Sequence, residues 1–293
     1  MSSLTETIIP LYIPLKIAVD AEVSTDAKTF DQILNYLSKK PGNQNSQVKE
    51  SEIQRLVDLR RAAYNALGTV SPNSINFNGQ IHQLTHSERV SALLTYCKAL
   101  LDLETMGVCD DFGEDFEFHW TCALIHLDAF NENYDDQDQV ENEMPVFYGN
   151  RLAYERACIL FNVVALNIQN SIFNRDGEDE LNGDTRNSFK DDYEMHQTQA
   201  SILKYLQSNF SSTYKNTSSD LSKSGLQMLE KAILAEGQVA YLQNALALTE
   251  ASGRMRQDSV NAKLAASAAL LYKEALDLAD SLEVSFSALF MSR

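Results

Sequence analysis

The chain is short of the residues that make tight turns. Eleven glycines and five prolines come to 16 of 293 residues, less than half the usual share of about 12%. Few tight turns exclude many-stranded sandwiches and barrels and leave no Gly-rich phosphate loop. Basic residues are scarce too: 24 Lys and Arg stand against 41 Asp and Glu, a formal net charge of −17. Such a surface repels phosphate backbones and anionic lipid, so nucleic acid is not expected as a partner. No stretch of about 18 uninterrupted apolar residues exists, so no membrane span is expected. The apolar start is broken by Pro10, Pro14 and Lys16 and preceded by nothing basic, unlike a secretory signal. Without a secretory route, Asn209-Phe210-Ser211 and Asn216-Thr217-Ser218 carry no meaning as glycosylation sites. The four cysteines (Cys97, Cys109, Cys122, Cys158) form no CxxC pair and lie in apolar contexts, as reduced, packed thiols of a cytosolic protein do.

What the chain has is core material, with 44% hydrophobic and 22% charged residues, in helical periodicity. Residues 11–19 suggest a short strand, held to an edge by its internal Pro14. Phe30, Ile33, Leu34 and Leu37 mark a first helix stopped by Pro41-Gly42. Ile53, Leu56, Val57, Ala63, Tyr64 and Leu67 mark a second, ending at Gly68. After a polar loop at 69–83, Thr85 to Glu88 spells a capping box. The stripe behind it, Val90, Leu93, Leu94, Cys97, Leu100 and Leu101, ends near Gly107. Residues 115–127 suggest a strand pairing with the first, and 131–145 an acidic loop. Residues 151–173 are apolar almost all round, which requires a centrally buried helix. An acidic loop at 174–187 and helices at 188–208, 219–250 and 258–284 follow. The expected fold is mainly α: a bent, elongated, solenoid-like stack of helical hairpins with a TPR-like core and a small N-terminal β-sheet.

Sharper chemistry finds little support. Cys158 lies inside an apolar helix, where a packed thiol outweighs a nucleophile. His119 and His126 face opposite sides of a strand, so with Cys122 they do not build a metal site. The acidic run from Asp176 puts Leu181 where an EF-hand loop requires glycine. No enzyme, cofactor or metal is expected.

Tyr154-Glu155-Arg156-Ala157-Cys158-Ile159-Leu160-Phe161-Asn162, continuing to Leu166, resembles the signature helix of the BRO-type domain of the Alix, PalA and rhophilin family. Trp120 to Phe130, Ala262 to Tyr272 and the opening Thr29 to Leu34 resemble further segments of that domain in the right order. The resemblance covers essentially the whole chain, although family domains continue for several helices more. It implies one domain over 1–293 lacking the last helices of the family fold. It also implies a non-enzymatic, monomeric, cytoplasmic adaptor, peripheral at endosomes and reaching membrane through its partner. That partner is the C-terminal amphipathic helix of an ESCRT-III subunit of the charged multivesicular body protein class. The alternative is a rhophilin-like signalling scaffold with a different protein partner. Carried over from the family, the binding patch falls on Tyr241, Val260 and Leu264, with Lys190 as a polar flank. On pattern alone, Val260 and Leu264 belong to a core rather than a groove, because apolar helix stripes usually face inward.

Overall fold

The computed structural model describes residues 11–16, 50–68, 84–105, 118–124, 146–149, 152–178, 185–210, 218–252 and 258–290. The expected helix at 30–37 and the expected loops at 69–83 and 131–145 lie outside the described residues.

Among the described residues six α-helices dominate: α1 (Glu50–Leu67), α2 (His86–Thr105), α3 (Leu152–Glu178), α4 (Thr185–Asn209), α5 (Lys223–Ser252) and α6 (Asp258–Leu282). Each packs on its successor, α1 on α2 through to α5 on α6, which is the hairpin stack that the periodicity implied. Local chemistry sets several ends. Gly68 accepts φ +73° where α1 stops. At the start of α2 the capping box closes as expected: Thr85 N–H donates to Glu88 Oε2 (2.8 Å) and Glu88 N–H to Thr85 Oγ1 (3.3 Å). Helix α3 runs to Glu178, further into the expected 174–187 loop than the sequence suggested. A 3-10 turn at Ser219–Leu221 precedes α5 and absorbs the first residues of the expected 219–250 helix.

Among the described residues the sheet is small and lies away from the N-terminal segment 11–16. Strand β1 (Phe118–Thr121) pairs antiparallel with β2 (Val146–Gly149), His119 opposite Tyr148. Residues 11–16 form no regular structure, because α3 side chains and the far end of the chain take up their backbone groups. Asn162 is the clamp: its Oδ1 accepts Lys16 N–H (2.7 Å) and its Nδ2 donates to Lys16 O (3.1 Å). Gln169 Nε2 donates to Ile13 O (2.8 Å), and Tyr12 N–H donates to Leu289 O (2.6 Å). Leu11 and Ile13 are buried while Tyr12 between them is exposed.

Helix α3 is the centre of the core. Tyr154 to Ile159 are buried without a break, as are Phe161 to Leu166, so only a narrow half-buried line through Ala153, Leu160 and Asn167 approaches solvent. Around it lie Trp120, Tyr64, Tyr96 and Phe118, all fully enclosed. Burying each such side chain contributes about 1.5–3 kcal/mol.

Candidate functional site

Two polar knots inside the stack account for most of the signature helix. In the first, the buried carboxylate of Glu155 collects three donors: Trp120 Nε1 (2.6 Å), Tyr64 Oη (2.9 Å) and Tyr96 Oη (3.1 Å). Arg60 supplies the counter-charge, its Nε 3.4 Å from Glu155 Oε1 and 2.8 Å from Tyr64 Oη. A buried charge survives only when paired and hydrogen-bonded, and this one is both. Burial lifts the Tyr64 and Tyr96 phenols well above their ordinary range, with the Glu155 charge pushing the same way. In the second knot, Lys16 Nζ meets Asp220 Oδ2 at 2.7 Å with both side chains fully enclosed. Ser218 Oγ donates to Asp220 Oδ1, and Ala123 N–H donates to Asp220 Oδ2 (2.6 Å). Desolvation works against the Lys16 ammonium, but Asp220 outweighs it and holds the group above its ordinary pKa. Tyr154, Glu155, Leu160, Phe161 and Asn162 therefore sit in or against the core, where they hold elements together.

The thiols share that interior. Burial pushes Cys97 and Cys122 up to about 11 and raises Cys158 well above its ordinary value. No cation overcomes desolvation at any of the three, so Cys158 has the setting of a packed side chain. His119 is half-buried on β1 and Cys122 is buried just past it, whereas His126 lies outside the described residues. Among the described residues, no group of three or more metal-ligating side chains comes together. Among them too, no helix is long and apolar enough to cross a membrane.

The surface candidates gather at one end of the last three helices. Contacts fix the directions: Lys231 pairs with Glu274 (2.6 Å) and Tyr272 Oη donates to Glu236, so α5 and α6 are antiparallel. Gln207 meets Lys223 and Tyr193 meets Tyr241, so α4 and α5 are antiparallel too. The first turns of α4, the second half of α5 and the first turns of α6 thus share one end. Lys190, Tyr241, Val260 and Leu264 are all there. Tyr241 is 46% and Val260 45% exposed, and Leu264 is half-buried. Large apolar side chains that open, on neighbouring helices, do not belong to the core. Pattern alone favoured a core position for both Val260 and Leu264; Val260 is instead open to solvent, and Leu264 is half-buried. Lys190 is exposed and pairs within its own helix, Nζ lying 3.6 Å from Glu194 Oε1.

One member of this face escaped sequence reasoning. Tyr193 packs on Tyr241, ring centroids 5.3 Å apart and planes inclined at 54°. Gly237 sits where α4 comes close: a Cβ there would press on His196 Cβ at 3.2 Å, while Tyr193 Cδ2 at 3.7 Å would be in ordinary contact. The only signals were the position of Tyr193 three residues after Lys190, on the same helix face, and a glycine inside a long apolar helix.

A family model described as the BRO1-like domain matches residues 11–291. No curated protein sequence matches the chain at a significant level. Among solved structures, the chain is similar to that described as "ALIX BRO1 CHMP4C complex", with TM-score 0.64 and 18% identity over 97% of this chain and 68% of that one. It is also similar to ALIX in complex with the SIVmac239 PYKEVTEDL late domain (TM-score 0.59, 19% identity, 93% of this chain and 33% of that one). A third is the Bro1 domain of "Structure basis for endosomal targeting by the Bro1 domain" (TM-score 0.58, 19% identity, 94% and 62%). At these identities the likeness is one of fold.

Proposed function

The chain belongs to the BRO1-like domain family, and from that premise we propose that it is a non-enzymatic adaptor domain. Its partner is the C-terminal amphipathic helix of an ESCRT-III subunit, and its place is peripheral, at endosomes. The observation that carries the reading is the exposure of Tyr241 and Val260, each nearly half open, at the shared end of α4, α5 and α6. A partner helix with apolar residues at i, i+3, i+4 and i+7 suits such a face. Tyr241, Val260 and Leu264 are the anchors and Lys190 the polar rim. Further support comes from the similar ALIX BRO1 fold, whose described structure is a complex with CHMP4C. The buried, high-pKa thiols of Cys97, Cys122 and Cys158 are poor nucleophiles.

The test is fluorescence anisotropy of the chain titrated with a labelled ESCRT-III tail helix, in wild type and Leu264→Asp. Saturable binding that a folded Leu264→Asp variant loses by about 30-fold or more, the loss expected at an interface hot spot, supports the reading. No binding by wild type sinks it and moves the function to a scaffold with another protein partner, as in the rhophilin-like alternative.

A further inference from the structure

The α4 side of this face carries features that apolar anchors leave unexplained. Tyr193 and Tyr241 stand ring to ring in a tilted pair, Tyr241 open to solvent and Tyr193 half-buried. Neither phenol hydroxyl has a hydrogen-bond partner among the described residues. Aromatic faces left partly open at a binding surface present the negative pole of the ring quadrupole, which attracts cations. The charges beside them have the same sense. Residues 190–194 read Lys-Asp-Asp-Tyr-Glu, one cation against three carboxylates. The one cation is engaged: Lys190 faces Glu194 at 3.6 Å, one helical turn away. Asp191 and Glu194 are exposed. The whole chain adds its net charge of −17, a field that draws basic ligands in and holds acidic ones off.

From the Tyr193–Tyr241 ring pair and the acidic rim of α4, we infer that the partner helix carries a Lys or Arg on the flank that lies over α4. That side chain rests against the two rings and shares the Glu194 carboxylate with Lys190. The inference rests on the proposed helix-binding face and adds a polarity to it. The apolar anchors give affinity, while the basic residue fixes which way the partner helix is rolled, as charge complementarity does at interfaces generally. Tyr193 becomes a specificity residue, and a helix with an acidic flank in that position is disfavoured.

The experiment uses two designed amphipathic helical peptides, identical in their Leu anchors and differing only in Lys or Glu on one flank. Each is titrated by anisotropy against the full chain in wild type, Tyr193→Leu and Glu194→Gln. Glu194 is exposed, so its substitution leaves the fold intact, and circular dichroism checks the same for Tyr193→Leu. The Lys-flanked peptide is expected to bind wild type about tenfold more tightly than the Glu-flanked one, as one cation–π contact with a counter-charge provides. That preference should shrink severalfold in each variant and fade as salt is raised from about 0.05 M to 0.5 M. A Glu-flanked peptide that binds as well or better overturns the inference. A Lys preference unchanged in both variants also overturns it, because net charge alone would then account for the preference. Failure of both peptides to bind wild type overturns the helix-binding face itself, and the inference with it.

Discussion

Removing the carboxylate of Glu155 is the sharpest test of how the core is held. Glu155 is fully buried and accepts from Trp120 Nε1, Tyr64 Oη and Tyr96 Oη, with Arg60 as its ion-pair partner. Glu155→Ala takes the shared acceptor from Trp120, Tyr64 and Tyr96 and the counter-charge from Arg60, whose Nε still donates to Tyr64 Oη. Each orphaned buried donor costs about 1–3 kcal/mol, and breaking a buried ion pair from one side costs about 3–5 kcal/mol. The groups share one site, so these costs do not add in full, and about 4–6 kcal/mol is expected in total. For a domain of this size, at about 2–4 °C per kcal/mol, the melting temperature falls by roughly 8–24 °C. Glu155→Gln keeps the shape and one acceptor oxygen but turns an NH2 toward donors. It should fall between wild type and alanine. The assay is urea unfolding followed in parallel by far-UV circular dichroism and by the fluorescence of Trp120, the single tryptophan of the chain, which donates directly to Glu155. A Glu155→Ala variant within about 0.5 kcal/mol of wild type, the range of an ordinary surface change, with unchanged Trp120 emission, would refute the reasoning.

Lys16→Met leaves Asp220 enclosed with Ser218 and Ala123 as its donors among the described residues; the expected loss is about 3–5 kcal/mol by chemical denaturation, and a stabilised variant would contradict it. Because the folded Lys16 pKa is raised, its contribution is whole below the unfolded value of about 10.4 and is lost as pH rises through the folded value; stability measured from pH 9 upward should drop more steeply in wild type than in Lys16→Met. With Cys97 and Cys122 held near 11 and Cys158 raised further by burial, a thiol reagent at pH 8 should not label these three in a Cys109→Ser background until urea unfolds the chain. Val260→Asp should leave the melting curve within about 0.5 kcal/mol of wild type, since Val260 is 45% exposed, while abolishing binding of the tail helix; global unfolding instead would return Val260 to the core.

The helices were largely legible because each buries a face against its neighbour, and burial on one face imposes the 3.6-residue repeat. Helix α3 was legible for the opposite reason: an apolar residue at nearly every position announces that little of it meets water. The capping box was legible because Thr85 and Glu88 act within one turn. What escaped depends on residues far apart in the chain. Residues 11–16 carry the composition of a strand, but Asn162 and Gln169 take their backbone groups, and no local pattern records a clamp 146 residues away. Strand β1 therefore pairs with Val146–Gly149 and not with the N-terminal segment. Lys16 itself looked like a mere interruption of an apolar run. At the candidate face, Tyr241, Val260 and Leu264 came from family resemblance, since helical spacing is the same whether a stripe faces core or solvent. Tyr193 sits in a polar stretch, and only its packing on Tyr241 across Gly237 reveals it.

The pairing of Lys16 with Asp220 also constrains the order of events during synthesis. The two residues are 204 apart, and at about 5–20 residues per second a ribosome needs roughly 10–40 s to go from one to the other. Throughout that interval the lysine has no counter-charge, and a bare ammonium is too costly to bury, so the first-made peptide has to wait in water. Asn162 and Gln169 emerge earlier and present a seat whose occupant cannot yet take it. A chain stalled short of residue 220 would therefore display both an unseated amino-terminal peptide and an open slot along α3. Such a pair of complementary surfaces is what a quality-control factor could grip, and closing it would be among the last steps of maturation.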